Sequence, residues 1–281
     1  MLHFLYGLSL AKKGGLVIQN NKIIELKSLS FSINEKILVD EISLDINIGD
    51  MVSVVGPNGS GKSTLVKLIS SELEPSSGEV LIYNKSIKLW GAKDLSKFRG
   101  VLSQSSYLSF PFSTFDIVKM GRYPFSSSKK INDDICSSVI KLLDLDDKVS
   151  QIYTTLSGGE KQRVQLARIL AQIWSEDSYD NKLLILDEPT SFLDIKHQFS
   201  LFKLLKTLNE KGLTVIMVLH DINHALSFSQ KIIMLNDSKL IEYGHIEEII
   251  NSEVLEKLFN LKLSVNKNKK TKKFNISFAD I

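Results

Sequence analysis

Gly56-Pro57-Asn58-Gly59-Ser60-Gly61-Lys62-Ser63-Thr64 decides how the rest of this chain is read. It fits G-x-x-x-x-G-K-[ST], a loop whose backbone amides cradle polyphosphate. An apolar run, Met51 to Val55, leads into it, and a helix-prone stretch, Ser63 to Ser70, leaves it. Strand, Gly-rich turn and helix start make an anion site, because unpaired N–H groups and the positive end of the helix dipole converge there. Gly56, Gly59 and Gly61 supply conformations and a close approach that a Cβ obstructs. In such a loop Lys62 reaches the β- and γ-phosphates and the Ser63 hydroxyl ligates Mg²⁺.

Two further stretches gain meaning from that loop. Leu183-Leu184-Ile185-Leu186-Asp187-Glu188 ends an apolar run in two carboxylates. Charge at the carboxyl edge of a buried strand is costly unless a cation or a reaction uses it. In P-loop enzymes this Asp holds Mg²⁺, and the acid after it is placed to polarise water as a general base. Leu156-Ser157-Gly158-Gly159-Glu160-Lys161-Gln162-Arg163 is locally a capping box, with Ser157 as N-cap and Glu160 three residues on. The amphipathic run Val164, Ala167, Leu170 then continues the helix. Capping does not explain two successive glycines at a helix start, which weaken it. A second anion-binding helix N-terminus does.

The remaining pattern supplies the frame. Ile24 to Ile48 alternates as paired strands, and Gly78–Tyr83 turns through Asn84-Lys85 into a second hairpin. Residues 110–155 are mostly helical, with a helix opened by Asn132-Asp133-Asp134 whose Ile135, Val139, Leu142 and Leu143 share a face. Strand Leu183–Leu186, helix Lys196–Leu208, strand Val215–Leu219, helix Ile222–Phe228 and strand Ile232–Leu235 follow. That β-α-β-α-β order implies a parallel sheet covered on both faces.

Composition narrows the class. Apolar residues at 43% and charged residues at 24% of 281 are those of an ordinary globular chain. No stretch approaches the ~18 apolar residues that span a bilayer, so work at a membrane requires a separate anchor. Lys12 and Lys13 follow the apolar run Leu2–Ala11 rather than precede it, the reverse of a secretory signal. Residues 1–22 therefore read as an N-terminal extension. One cysteine, Cys136, excludes an internal disulfide and a metal framework, which points to the cytosol. Removing the five lysines of Lys267–Lys273 turns the net +3 into −2, so there is no broad nucleic-acid face. That cluster, between Leu261–Val265 and Phe274–Phe278, reads as the solvated turn of a C-terminal hairpin, residues 261–281.

Two anion-binding helix starts, with Asp-Glu closing a strand after the second, resemble the ATP-binding-cassette (ABC) ATPases over residues 23–260. The resemblance implies a P-loop α/β fold with a mainly parallel sheet, an antiparallel β subdomain and a helical subdomain at about 110–155. It implies ATP and Mg²⁺ as ligands. Gln104, after Val101-Leu102-Ser103, is similar to the Q-loop glutamine that senses Mg²⁺ and the attacking water. Ser157, Gly158 and Gly159 are similar to the signature that contacts ATP on a second copy. Asp187 matches the Mg²⁺ residue, Glu188 the catalytic base, Ser191-Phe192-Leu193-Asp194 the D-loop, and His220 the switch histidine on the γ-phosphate. The chain departs from the family at Ile33, where an aromatic residue usually stacks on adenine. Apolar contact remains but a stacking contribution on the order of 0.5–1.5 kcal/mol is lost, which makes GTP worth testing.

The same resemblance implies a head-to-tail dimer sandwiching two ATP, with force passed to separate transmembrane permease subunits and, indirectly, a substrate-binding protein. The place of work is then the cytoplasmic face of the cell's inner membrane. Val101–Phe112, then Val118-Lys119-Met120-Gly121-Arg122, and the long spacer Ile173–Lys182 are similar to the ATPase subunits of bacterial hemin importers. Importers of ferric siderophores or cobalamin are the near alternative. A soluble ABC ATPase without a channel is opposed by one cassette, one cysteine and an acidic body. A regulator without turnover is opposed by the set Lys62, Gln104, Glu188 and His220.

Overall fold

The computed structural model describes residues 21–103, 109–176, 178–270 and 273–278. The chain opens with a hairpin of β1 (Lys22–Ile33) and β2 (Lys36–Asn47), turned by Asn34 and Glu35 at positive φ. Strand β3 (Met51–Val55), buried throughout, runs into the Gly-rich loop and α1 (Lys62–Ile69). β4 (Ser77–Ile82) and the short β5 (Lys85–Ser86) complete an antiparallel sheet in the order β2-β1-β4-β5. Both hairpins expected from the alternation are present.

After α2 (Ala92–Phe98) and β6 (Arg99–Leu102) come α3 (Thr114–Met120) and α4 (Lys129–Leu142). Next are α5 (Gly158–Ile173), β7 (Leu183–Asp187), α6 (Ile195–Glu210) and β8 (Thr214–Val218). The chain continues through α7 (Ile222–Phe228), β9 (Lys231–Asn236), β10 (Lys239–His245), α8 (Ile246–Ile249) and α9 (Ser252–Phe259). It closes with the hairpin β11 (Leu263–Lys267) and β12 (Phe274–Phe278). The central sheet has the order β10-β9-β3-β8-β7-β6, parallel except for β10.

That sheet is buried on both faces, which is why its strands read as unbroken apolar runs rather than as alternation. Val52, Val54, Leu183, Ile185, Ile216 and Val218 join α1 and the antiparallel sheet in one core. Met51, Val55, Leu184, Leu186, Val215 and Met217 join α5, α6 and α7 in the other. The order places β3 between β8 and β9, away from its sequence successor β6. At the carboxyl ends of parallel strands arranged this way, loops splay apart and leave room for a ligand.

Two local expectations are corrected. α4 begins at Lys129, because Ser128 caps it by accepting from Ile131 N; Asn132 instead accepts from Arg122 Nε at 3.0 Å. On that helix Leu142 is 41% exposed, and Cys136, Val139, Ile140 and Leu143 turn inward. The C-terminal hairpin forms, with Lys273 exposed beside its turn and its Nζ donating to Ser227 O at 2.7 Å.

Arg122 pins the helical layer. Its Nη1 donates to Ala171 O in α5 at 2.6 Å, and its guanidinium lies 3.8 Å from the Phe125 ring centre. Among the described residues no helix is long and apolar enough to cross a membrane.

Candidate functional site

The Gly-rich loop leaves β3 with Gly59 and Gly61 in the left-handed region, at φ +81 and +97. A Cβ at Gly56 would collide with Leu235 O, and one at Gly61 with Leu38 O. Glycine is thus required by the backbones of β9 and β2 as well as by torsion. Asn58 and Gly59 are exposed, Pro57 and Thr64 half-buried, and the buried Ser60 Oγ has no hydrogen-bond partner.

Lys62 is buried and bends back over the loop, donating to Gly56 O at 2.9 Å and Pro57 O at 2.8 Å. Burial pushes its ammonium below the ordinary value, with Glu188 and Asp187 opposing. Asp187, the last residue of β7, is 3% exposed and accepts from Ser63 Oγ at 3.2 Å. Burial raises its pKa; the Ser63 hydrogen bond works against that, and the Glu188 carboxylate adds to it.

Glu188 sits at φ +52, a conformation costing a non-glycine residue roughly 1–3 kcal/mol. The turn aims its side chain across to β8, where Oε1 lies 2.7 Å from His220 Nε2. Ser191 Oγ donates to Glu188 O at 3.1 Å and to Oε2 at 3.3 Å. Gln162 Nε2 donates to Glu188 O at 3.4 Å. His220 is 52% exposed on its side chain, open to whatever occupies the sheet edge. Ser191 and Gln162 lie inside quoted motifs, yet only their spacing from Glu188 in space reveals that they brace it.

The second helix start is built as expected. Ser157 Oγ accepts from Glu160 N at 3.3 Å, and Glu160 Oε2 accepts from Ser157 N at 2.8 Å. The bond from Ser157 N, and then one from Ser157 Oγ to the same Oε2 at 2.8 Å, pull the Glu160 carboxyl down to about 2. A Cβ at Gly158 would stand 3.6 Å from Phe192 Cβ, ordinary contact, whereas one at Gly159 would be 3.0 Å from Phe192 O. Packing within the chain therefore does not demand glycine at 158. Asp194 caps α6, its Oδ1 accepting from His197 N at 2.8 Å.

The structure brings Lys62, Ser63, Asp187, Glu188 and His220 to one edge of the central sheet. It does not join Ser157–Gly159 to them: among the described residues no hydrogen bond or ion pair links that helix start to residues 56–64. Gln104 lies outside the described residues; Ser103, just before it, donates to Glu72 Oε1 at 3.1 Å. Ile33, at the end of β1, is 51% exposed.

A family model described as ABC transporter matches residues 39–191, from β2 through the Gly-rich loop to the turn after Glu188. The chain belongs to the ABC transporter family. It is 37% identical over 246 residues to the Hemin import ATP-binding protein HmuV of Escherichia coli O157:H7, covering 87% of this chain and 95% of that protein. A metal-chelate type ABC transporter in an inward-facing conformation superposes with a TM-score of 0.75 at 28% identity, covering 92% of this chain and 97% of that one. The dimeric bacterial ABC transporter cassette MJ0796 superposes with a TM-score of 0.70 at 31% identity, covering 79% and 98% respectively. The P-loop architecture read from the loop and the strand order is that of an ABC ATPase, and the likeness to hemin-importer ATPases stands.

Proposed function

We propose that this ABC ATPase hydrolyses ATP to drive hemin import through separate permease subunits, working at the cytoplasmic face of the cell membrane. The convergence of Lys62, Ser63, Asp187, Glu188 and His220 at one sheet edge carries the reading. Polyphosphate takes the place of the Gly56 and Pro57 carbonyls as partner to Lys62, and the loop amides supply the remaining donors. Ser63 Oγ and Asp187 Oδ1, side by side at 3.2 Å, form a hard-oxygen pair that suits Mg²⁺, which keeps waters and phosphate oxygens as its other ligands. The ion, when bound, neutralises charge developing on the phosphates. Glu188, aimed by its turn and braced by Ser191, accepts a proton from the attacking water, and His220 holds that carboxylate in place and reaches the γ-phosphate.

The site needs a second copy. The glycine at 158 that the chain's own packing does not demand fits a helix start that receives phosphate from a partner, and the dimeric MJ0796 cassette supports the same arrangement. Hemin is supported by the name of the HmuV relative and by the metal-chelate transporter. Permease docking falls on the helical insertion, at α3 and α4. A substrate-binding protein delivers the cargo from the far side.

Glu188→Gln should trap an ATP-bound dimer with turnover down at least ~10²-fold, read by light scattering and phosphate release. A monomer in ATP, or normal turnover, defeats the reading. Deleting the protein should abolish growth on hemin as sole iron source and spare siderophore use. The opposite pattern points to a siderophore importer.

A further inference from the structure

We propose that the C-terminal hairpin β11–β12 is a positioning element for His220: by gripping α7 at both ends, it fixes the turn in which the histidine meets Glu188. The proposal rests on the reading of Glu188 and His220 as the reaction centre.

His220 has an anchor on either side. Upstream is β8, continued by Leu219 N donating to Val54 O at 3.1 Å. Downstream, after Asp221, is α7. A helix of seven residues does not hold its own shape, because nucleation is unfavourable and two turns return few hydrogen bonds. Its geometry must be imposed by neighbours. In the first turn, Asp221 Oδ1 accepts from Asn223 N at 2.8 Å. Asn223 Oδ1 in turn accepts from Ile276 N of β12, also at 2.8 Å. At the last turn Lys273 Nζ donates to Ser227 O at 2.7 Å and stands 5.3 Å over the Phe228 ring centre. A cation there satisfies an end carbonyl and complements the helix dipole.

The grip is itself supported. Leu263, Val265, Phe274 and Ile276 pack against the core that holds α5 and α6, so the hairpin is fixed to the body rather than only to α7. Phe228 stacks on Phe202 of α6 with ring centres 4.2 Å apart. A path of direct contacts runs Ile276, Asn223, Asp221, then one peptide unit to His220 and 2.7 Å on to Glu188. Besides the Asn223–Ile276 bond, the first turn of α7 is held by the Asp221 cap and by packing of Ile222 and His224 on the α6 side, and of these only the Asn223 bond ties it to the hairpin.

The test is steady-state ATP hydrolysis by the full-length homodimer. Asn223→Ala removes the acceptor for Ile276 N, and Asn223→Asp keeps one. We expect Asn223→Ala to lower kcat roughly 5- to 50-fold, the scale on which small misplacements act, with KM for ATP within about twofold. Asn223→Asp should restore most of kcat. In a His220→Ala background Asn223→Ala should add no further loss, since a residue acting through another is silent once that other is gone. Lys273→Met, which leaves the first turn intact, serves if Asn223→Ala does not fold, and should show the same split to a smaller degree. Wild-type kcat in Asn223→Ala, or an equal loss in both backgrounds, overturns the proposal. If His220→Ala itself hydrolyses normally, the reaction-centre reading fails; if His220→Ala is impaired and Asn223→Ala is not, only the hairpin's role fails.

Discussion

Asp187 shows how far a single residue can be set against its own fold. Its folded-state pKa is raised, so charging it costs stability at every pH above its ordinary value of 3.8. Asp187→Asn removes that charge and retains an oxygen for Ser63 Oγ. The variant should melt higher than wild type without nucleotide at pH 7. It should also lose Mg²⁺-dependent turnover. Scanning calorimetry beside a phosphate-release assay checks both, and a lower Tm contradicts the cost assigned to the charge. At this scale the convergence of Lys62, Ser63, Asp187, Glu188 and His220 was legible in their order and spacing, while the roles given them belong to the proposed reading. It was silent on Ser191 and Gln162. Their bracing of Glu188 depends on a positive-φ turn and on how α5 lies beside β7, and neither is local.

Among the elements, α5 states its N-terminus in sequence through Ser157 and Glu160, and the structure forms both halves of that box. Because the Glu160 pKa is depressed, its stabilising share is complete above the ordinary 4.5 and is lost as pH falls toward about 2. Glu160→Gln should therefore unfold at lower urea than wild type at pH 7, and the gap should narrow as pH drops below 4.5. A gap independent of pH would show that packing, not the carboxylate, carries the effect. α4 was read less well because Ser128 and Asn132 are both acceptable caps locally. The choice went to Ser128 once Arg122 claimed the Asn132 side chain. The contact of Lys273 was not legible for a similar reason: a lysine among lysines carries no mark of the Ser227 carbonyl it reaches 46 positions away.

For the whole molecule, the two cores that share the central sheet make Cys136 a gauge of global opening. It is fully buried in the core with α4 and α5, and desolvation raises its thiol pKa to about 11. Neither access nor thiolate is then available to a disulfide reagent in the native state. Labelling at pH 8 should be slow, become stoichiometric in denaturant, and slow further with ATP as ligand stabilises the folded state. Fast native labelling would mean the α4 layer opens independently. That layer's attachment has a mechanical consequence. The Arg122 bond to Ala171 O fastens the end of α3 near the far end of a sixteen-residue α5, a rod about 24 Å long at 1.5 Å per residue. On the proposed reading, in which a permease meets α3 and Ser157 meets ATP on a second copy, this bond is a direct link between the two surfaces.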